Sequence, residues 1–200
     1  MKRYERYRDS KYDWLGQVPM HWEELYLSQC GYEQCISNKE VHHHNLLSLS
    51  YGQIIRKDIN KTDGLLPNSF DTYQIVNEGD IVLRLTDLQN DKKSLRTGLA
   101  KETGIVTSAY LTIHSFKHII PEFLYYVLHT YDVQKVFYGL GGGLRQNCSF
   151  RELRKLLIYT PSMKEQEQIV HFLDGRLALI DKYVKEKERE VELIGECFKY

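Results

Sequence analysis

The C-terminal segment, residues 162–200, carries apolar residues at alternating steps of three and four. The positions of this repeat are Val170, Leu173, Leu177, Ile180, Val184, Lys187, Val191, Ile194 and Phe198. This spacing is that of the a and d positions of a heptad, and Lys187 is its polar interruption. The segment is therefore predicted to form one continuous helix with an apolar seam, flanked by the Lys and Glu residues of a solvated helix.

The start of this helix is indicated by Ser162-Met-Lys-Glu165, which has the form of a capping box. A helix of about 37 residues is roughly 55 Å long at ~1.5 Å per residue. A helix of that length cannot pack against a compact domain along its whole extent. We therefore expect a partner helix along the seam, from within an assembly or from a second copy of the chain.

The preceding residues, 1–161, are predicted to form one domain that begins with strands. The strongest strand signals are residues 46–51, 81–85 and the β-branched run 105–113. The first 22 residues, punctuated by Gly16 and Pro19, are expected to form an irregular arm.

Helical signals follow the strands within the same domain. Pro121 precedes apolar residues at helical spacing, and Ser149-Phe-Arg-Glu152 has capping-box form. A last strand is expected at residues 156–161. The predicted fold class is α+β, with a mixed or antiparallel sheet followed by a long coiled-coil helix in residues 162–200.

The charge of the chain is balanced, with 27 basic and 27 acidic residues. This balance argues against a protein that coats DNA without regard to sequence, because phosphate neutralisation supplies most of that affinity. No apolar run reaches the length of a membrane span, and the N-terminus lacks the apolar centre of a signal peptide, so a cytoplasmic location is expected. The cysteines, at 30, 35, 148 and 197, match no zinc-site spacing and are expected to be free thiols.

Positive charge is nonetheless concentrated in residues 84–101, which hold five basic and two acidic residues. Candidate DNA contacts in this segment are Arg84, Thr86, Gln89, Asn90, Lys92, Lys93 and Arg96. Basic side chains suit phosphates, and amides or hydroxyls can pair with base edges. The alternative interpretation is a solvated hairpin with ordinary surface charges.

Two further segments supply candidate DNA contacts. Arg145 and Gln146 follow a glycine-rich loop whose main-chain amides could approach a phosphate, although the loop equally suits a plain connector. Tyr51, Arg56 and Lys61 lie in a segment with the composition of a variable loop. His42-His43-His44 is interpreted as a surface turn rather than a metal site, since consecutive residues converge poorly on one ion.

No motif for chemistry on DNA is found. The sequence lacks a glycine-rich S-adenosylmethionine loop and an Asn-Pro-Pro-Tyr/Phe tetrapeptide, and no Ser/His/Asp arrangement can be argued from residue order. A non-catalytic role without a metal or cofactor in this chain is therefore expected.

Four motifs, taken in order, resemble the specificity subunit of Type I restriction–modification enzymes. They are Tyr12-Asp-Trp-Leu-Gly16, the run from Gly79 to Asp91 with Gly104-Ile-Val-Thr-Ser-Ala-Tyr110 after it, Gly142-Gly-Leu-Arg-Gln-Asn-Cys-Ser149, and Lys164-Glu-Gln-Glu-Gln-Ile169. The resemblance implies a target-recognition domain in residues 1–161 that reads one DNA half-site, and a spacer helix in residues 162–200.

The resemblance also implies partners. Methyltransferase subunits would dock on the chain, a restriction nuclease subunit would join through them, and S-adenosylmethionine, ATP and magnesium would bind on those partners. A full specificity subunit has two domains and two helices, whereas this chain has one of each. A homodimer through the helix is therefore expected when the chain is alone. The alternative is an inactive scaffold or truncated remnant that self-associates without reading DNA.

Overall fold

The computed structural model of the protein describes residues 4–58, 69–88, 91, 93–140 and 147–197. The strands are β1 Tyr7–Asp9, β2 Gln17–Pro19, β3 Glu23–Tyr26, β4 Gly31–Glu33, β5 Ile36–Ser37, β6 Leu47–Ser50, β7 Gln53–Arg56, β8 Gln74–Val76, β9 Ile81–Leu83, β10 Thr97–Leu99, β11 Gly104–Val106, β12 Leu111–Ser115 and β13 Leu157–Thr160. The α-helices are α1 Leu27–Cys30, α2 Pro121–Val133, α3 Phe150–Leu153 and α4 Met163–Cys197. Short 3-10 helices cover Asp13–Leu15 and Val136–Gly139.

The centre of the domain is a four-stranded antiparallel sheet in the order β10-β9-β12-β4. A three-stranded antiparallel sheet, β11-β8-β5, and the pairs β1-β2, β3-β13 and β6-β7 surround it. Short strands of this kind need a shared core for stability. Helix α2 packs against β10 and β12, and its Leu124 and Leu128 are buried in one cluster with Ile81, Leu83 and Ile113.

Two sequence predictions for the strands are corrected by the structure. Residues 105–113 form two strands rather than one, because a turn with a Tyr110 N–H···O Thr107 hydrogen bond of 3.1 Å separates β11 from β12. These two strands then enter different sheets. The N-terminal arm is likewise ordered, since β1 and β2 pair antiparallel with Tyr7 opposite Pro19.

The predicted helices are confirmed with small changes at their ends. Helix α2 begins at Pro121, whose missing N–H costs nothing in a first turn. Helix α3 has the predicted capping box, in which the main-chain N–H of Ser149 donates to Glu152 at 2.8 Å. The α+β fold class with a long C-terminal helix is also confirmed.

The long helix α4 leaves the domain after its first turns. Val170 and Leu173 of the predicted seam are half-buried, and Tyr126 of α2 donates a hydrogen bond to Asp174. Beyond this point the seam is exposed at Leu177, Ile180, Val184, Val191 and Ile194. Phe198 lies outside the described residues. No helix among the described residues combines the length and apolar character that crossing a membrane requires.

The capping box predicted at Ser162 is wrong in one respect. The Glu165 carboxylate is directed to the N-terminal segment, where it accepts hydrogen bonds from Tyr4 Oη and, at 3.0 Å, from Trp22 Nε1. His21 Nε2 lies 3.0 Å from the other carboxylate oxygen. Glu165 therefore joins the start of α4 to the first residues of the chain.

Candidate nucleic-acid interface

The segment from Arg84 to Arg96 connects β9 to β10, in which Leu83 pairs with Thr97. Its fold is organised from beneath by Arg96, whose side chain is 1% exposed. The guanidinium donates hydrogen bonds to four main-chain carbonyl oxygens: Arg84 at 3.1 Å, Thr86 at 2.8 Å, Asp87 at 3.3 Å and Asp91 at 2.6 Å.

This geometry corrects the expectation that Arg96 contacts DNA. A buried charge is costly unless it is paired and hydrogen-bonded, and the planar fork of five N–H donors meets that requirement here. Arg96 Nε donates its remaining hydrogen bond to Tyr138 Oη at 3.2 Å, and the main-chain N–H of Arg96 donates to buried Asp132 on α2. Arg96 therefore shapes the segment and is not available to a ligand.

A second support lies within the segment itself. Asp91 Oδ1 accepts hydrogen bonds from the main-chain N–H groups of Ser94 at 2.9 Å and Lys93 at 3.2 Å. Hydrogen bonds from the Ser94 side chain and backbone, in that order, lower the pKa of Asp91 to about 2. The carboxylate is thus ionised at neutral pH and fixes the return of the chain towards β10.

Above these supports lie the side chains that can reach a ligand. Arg84 and Lys93 are exposed, and Thr86 is half-buried. Gln89, Asn90 and Lys92, the other candidates in this segment, lie outside the described residues. The exposed charges are suited to phosphates, and the supports below them limit how the segment can move.

The structure places the β6-β7 hairpin against this segment. Gly52 in its turn approaches Leu95 so closely that a β-carbon on the glycine would lie 3.0 Å from Leu95 Cβ. On the same hairpin Leu49 and Ile54 cover Gly98 of β10, where an added β-carbon would be 2.6 and 3.0 Å from their Cδ1 atoms.

The two remaining candidates on this hairpin differ in their environment. Tyr51, in the turn, is strongly exposed, whereas Arg56 donates hydrogen bonds to Glu102, at 2.6 Å from Nε to Oε1. The pairing partly neutralises Arg56, so the structure favours a role for it in fixing the hairpin rather than in supplying free charge. Lys61 lies outside the described residues.

The segment that follows the glycine-rich loop is attached to the same place. Asn147 Oδ1 accepts the main-chain N–H of Asp87 at 3.0 Å, and Cys148 N donates to Leu85 O at 3.0 Å. Arg145 and Gln146, just before it, lie outside the described residues. The turn at Tyr51-Gly52, the segment Arg84–Arg96 and Asn147-Cys148 thus meet, and we call this surface the loop edge.

Most exposed residues of the loop edge can be predicted from charge and residue type, whereas its internal supports cannot. The carbonyl partners of Arg96 and the Ser94–Asp91 contact have no signature in residue type or spacing. The sequence predicts a surface turn at the histidine tract, and His42 and His44 are exposed there. Within the described ranges, no group of three His, Cys, Asp or Glu residues could hold a metal ion.

Comparison with a family model matches residues 75–193 to the Type I restriction modification DNA specificity domain. A structure reported for complex assembly and conformational transition of the type I R-M system is similar, with a TM-score of 0.56 and 15% identity over 88% of this chain and 44% of that one. The HsdS subunit from Thermoanaerobacter tengcongensis is similar with a TM-score of 0.52 and 16% identity, over 88% of this chain and 41% of that one. The S subunit from M. genitalium is similar with a TM-score of 0.51 and 16% identity, over 81% of this chain and 41% of that one.

The chain therefore spans less than half the length of these solved structures. At 15–16% identity the likeness concerns the fold. A comparison with curated proteins finds no match. The family match includes the whole segment Arg84–Arg96, Asn147-Cys148 and most of helix α4, whereas the turn at Tyr51-Gly52 lies before the matched residues.

Proposed function

The chain belongs to the Type I restriction modification DNA specificity domain family, and from this premise we propose that it reads one half-site of a DNA target through the loop edge. The observation that most supports this is the meeting of three segments, far apart in sequence, around a backbone shaped by buried Arg96. Rigid support beneath exposed polar side chains suits a surface that must discriminate between bases.

The proposed contacts divide by chemistry. Arg84 and Lys93 are exposed on the loop edge and would neutralise phosphates, which positions the domain without reading sequence. Thr86 in the described part, and Gln89 and Asn90 outside it, carry hydroxyl and amide groups that can pair with base edges. Sequence preference would therefore reside in the uncharged side chains, and affinity in the charged ones.

A salt-dependent competition assay tests this division. The target is first obtained by mapping methylated bases in the source genome with the gene present and absent. Arg84→Ala with Lys93→Ala should weaken binding on all sequences and flatten the salt slope by roughly 0.9 for each lost phosphate contact. Lys117→Ala is the control, because the β9-β12 register puts this exposed lysine at the opposite end of the sheet. A double variant with the wild-type slope would place the interface elsewhere.

We propose further that this chain is non-catalytic and that partner subunits supply the chemistry. Methyltransferase subunits would dock on the domain and α4, with a restriction nuclease subunit joining through them. S-adenosylmethionine, ATP and magnesium would bind on those partners. The exposed seam of α4 supports helix pairing, with a second copy of the chain as the expected partner in isolation.

A further inference from the structure

The turn of the β6-β7 hairpin has an unusual backbone for its sequence. Ser50 pairs with Gln53, so Tyr51 and Gly52 form a two-residue turn, and their φ angles are +47° and +80°. Positive φ at both positions is the pattern of a type I′ turn, which matches the twist of the flanking strands. Asn, Asp or Gly normally occupies the first position, because other side chains crowd the backbone there.

Among the described residues, nothing that Tyr51 contacts offsets this strain. Its residue is 80% exposed, more than any other large hydrophobic residue in the described part of the chain. Among the described residues its hydroxyl has no hydrogen-bond partner. Folding alone would favour another residue at this position. A residue that is strained and carries an unburied aromatic ring is therefore the pattern expected where selection acts on a ligand contact.

The backbone of the turn that carries the ring packs against the rest of the domain. The next residue, Gly52, lies against Leu95, and the hairpin packs over Gly98 through Leu49 and Ile54. The turn is therefore seated on the loop edge, on the same surface as exposed Lys93. A flexible tip would lose much of its binding free energy in becoming ordered, and this turn would not.

We infer that Tyr51 is a specificity-determining residue whose ring packs against the bases of the DNA half-site. This inference rests on the proposed function, since the loop edge must face the DNA. Charged neighbours hold the phosphates, and the ring adds an apolar contact with base edges or an opened base step. Such a contact depends on base identity and step flexibility, and it releases no counterions.

The deciding variant is Tyr51→Asn in the full chain, assembled with its methyltransferase subunits. Asn is the residue that this turn prefers, so the melting temperature should rise by about 2–4 °C. Affinity for the mapped target should fall roughly tenfold, about 1.4 kcal/mol, with the salt slope unchanged. Tyr51→Phe keeps the ring and should bind within about twofold of wild type.

The exposed Tyr32 on β4 provides the control, because β4 lies at the opposite edge of the sheet from β10. Tyr32→Asn should leave target affinity unchanged. Wild-type affinity for Tyr51→Asn, a lower melting temperature in that variant, or an equal loss in Tyr51→Phe would each overturn the inference. Failure of the wild-type assembly to prefer the target would overturn the proposed function instead, so the two failures are distinguishable.

Discussion

Arg84 and Arg96 begin and end the same loop, yet they have opposite environments. Arg96 is buried under four carbonyl oxygens, and Arg84 is exposed. From sequence both are cations in a basic segment, and periodicity cannot separate them because the loop has no regular repeat. The exposed Arg84 could thus be predicted from charge, whereas the buried Arg96 that holds the loop could not.

Replacing Arg96 should therefore damage the fold rather than DNA binding alone. Arg96→Met keeps much of the apolar volume but removes every donor to the buried carbonyls, and we expect a loss of about 3–5 kcal/mol in the free energy of unfolding. Arg84→Met should change that free energy by less than about 0.5 kcal/mol. Urea unfolding followed by circular dichroism compares the two, and equal small losses would contradict the structural role of Arg96.

Asp91 offers a test of the same loop by titration. Its pKa is about 2 in the fold against an ordinary value of 3.8, so its ionised form stabilises the folded state. This stabilisation is complete above about pH 4 and disappears as pH falls through 2. Carboxyl-carbon NMR should show the low midpoint, and Ser94→Ala should raise it because Ser94 is the largest cause. A midpoint of 3.8 unaffected by Ser94→Ala would show that the contact is absent.

The elements were easier to predict than their connections. Helices α2, α3 and α4 followed from apolar spacing and end signals, which act locally. The split of residues 105–113 and the β1-β2 pair depend on which distant strand offers hydrogen bonds. Likewise, Glu165 fits a capping box locally, but Tyr4 and Trp22 compete for its carboxylate. Contacts distant in sequence decided these features, and local propensity does not contain them.

Gln166 is the best test of how α4 is joined to the domain. The residue is 1% exposed. Its side chain accepts a hydrogen bond from the main-chain N–H of Ile120 at 2.9 Å and donates one to Pro161 O at 3.0 Å. It thus connects the start of α4 to the start of α2 and the end of β13. Gln166→Ala should cost about 2–3 kcal/mol in unfolding free energy, because buried partners lose hydrogen bonds.

Gln168 on the same helix provides the matched control, since its side chain is exposed. Gln168→Ala should be neutral or slightly stabilising, as alanine has the higher helix propensity. Differential scanning calorimetry measures both variants. Similar melting temperatures for the two would mean that Gln166 does not anchor the helix.

At the scale of the whole molecule, we expect the projecting part of α4 to control association. Leu177, Ile180 and Val184 lie on the seam and are exposed, so a second helix would bury apolar surface that water otherwise contacts. We expect the isolated chain to sediment as a dimer at tens of micromolar. Ile180→Asp should shift it to monomer, because a carboxylate would be buried in the pair.

Leu179→Asp serves as the control, since Leu179 is exposed beside the seam but not on the heptad. It should retain the dimer within a small change in dissociation constant. A wild-type monomer at these concentrations, or equal dissociation by both variants, would contradict pairing along the predicted seam.

The way in which Arg96 holds its loop also bears on how new binding preferences can arise. The four oxygen atoms that it binds belong to the main chain, and every amino acid carries that oxygen. The side chains at 84 and 86 can therefore be exchanged without removing these bonds. A library randomised at these positions should yield mostly folded proteins, whereas one randomised at 96 should not. A single buried arginine thus gives the surface above it freedom to diversify.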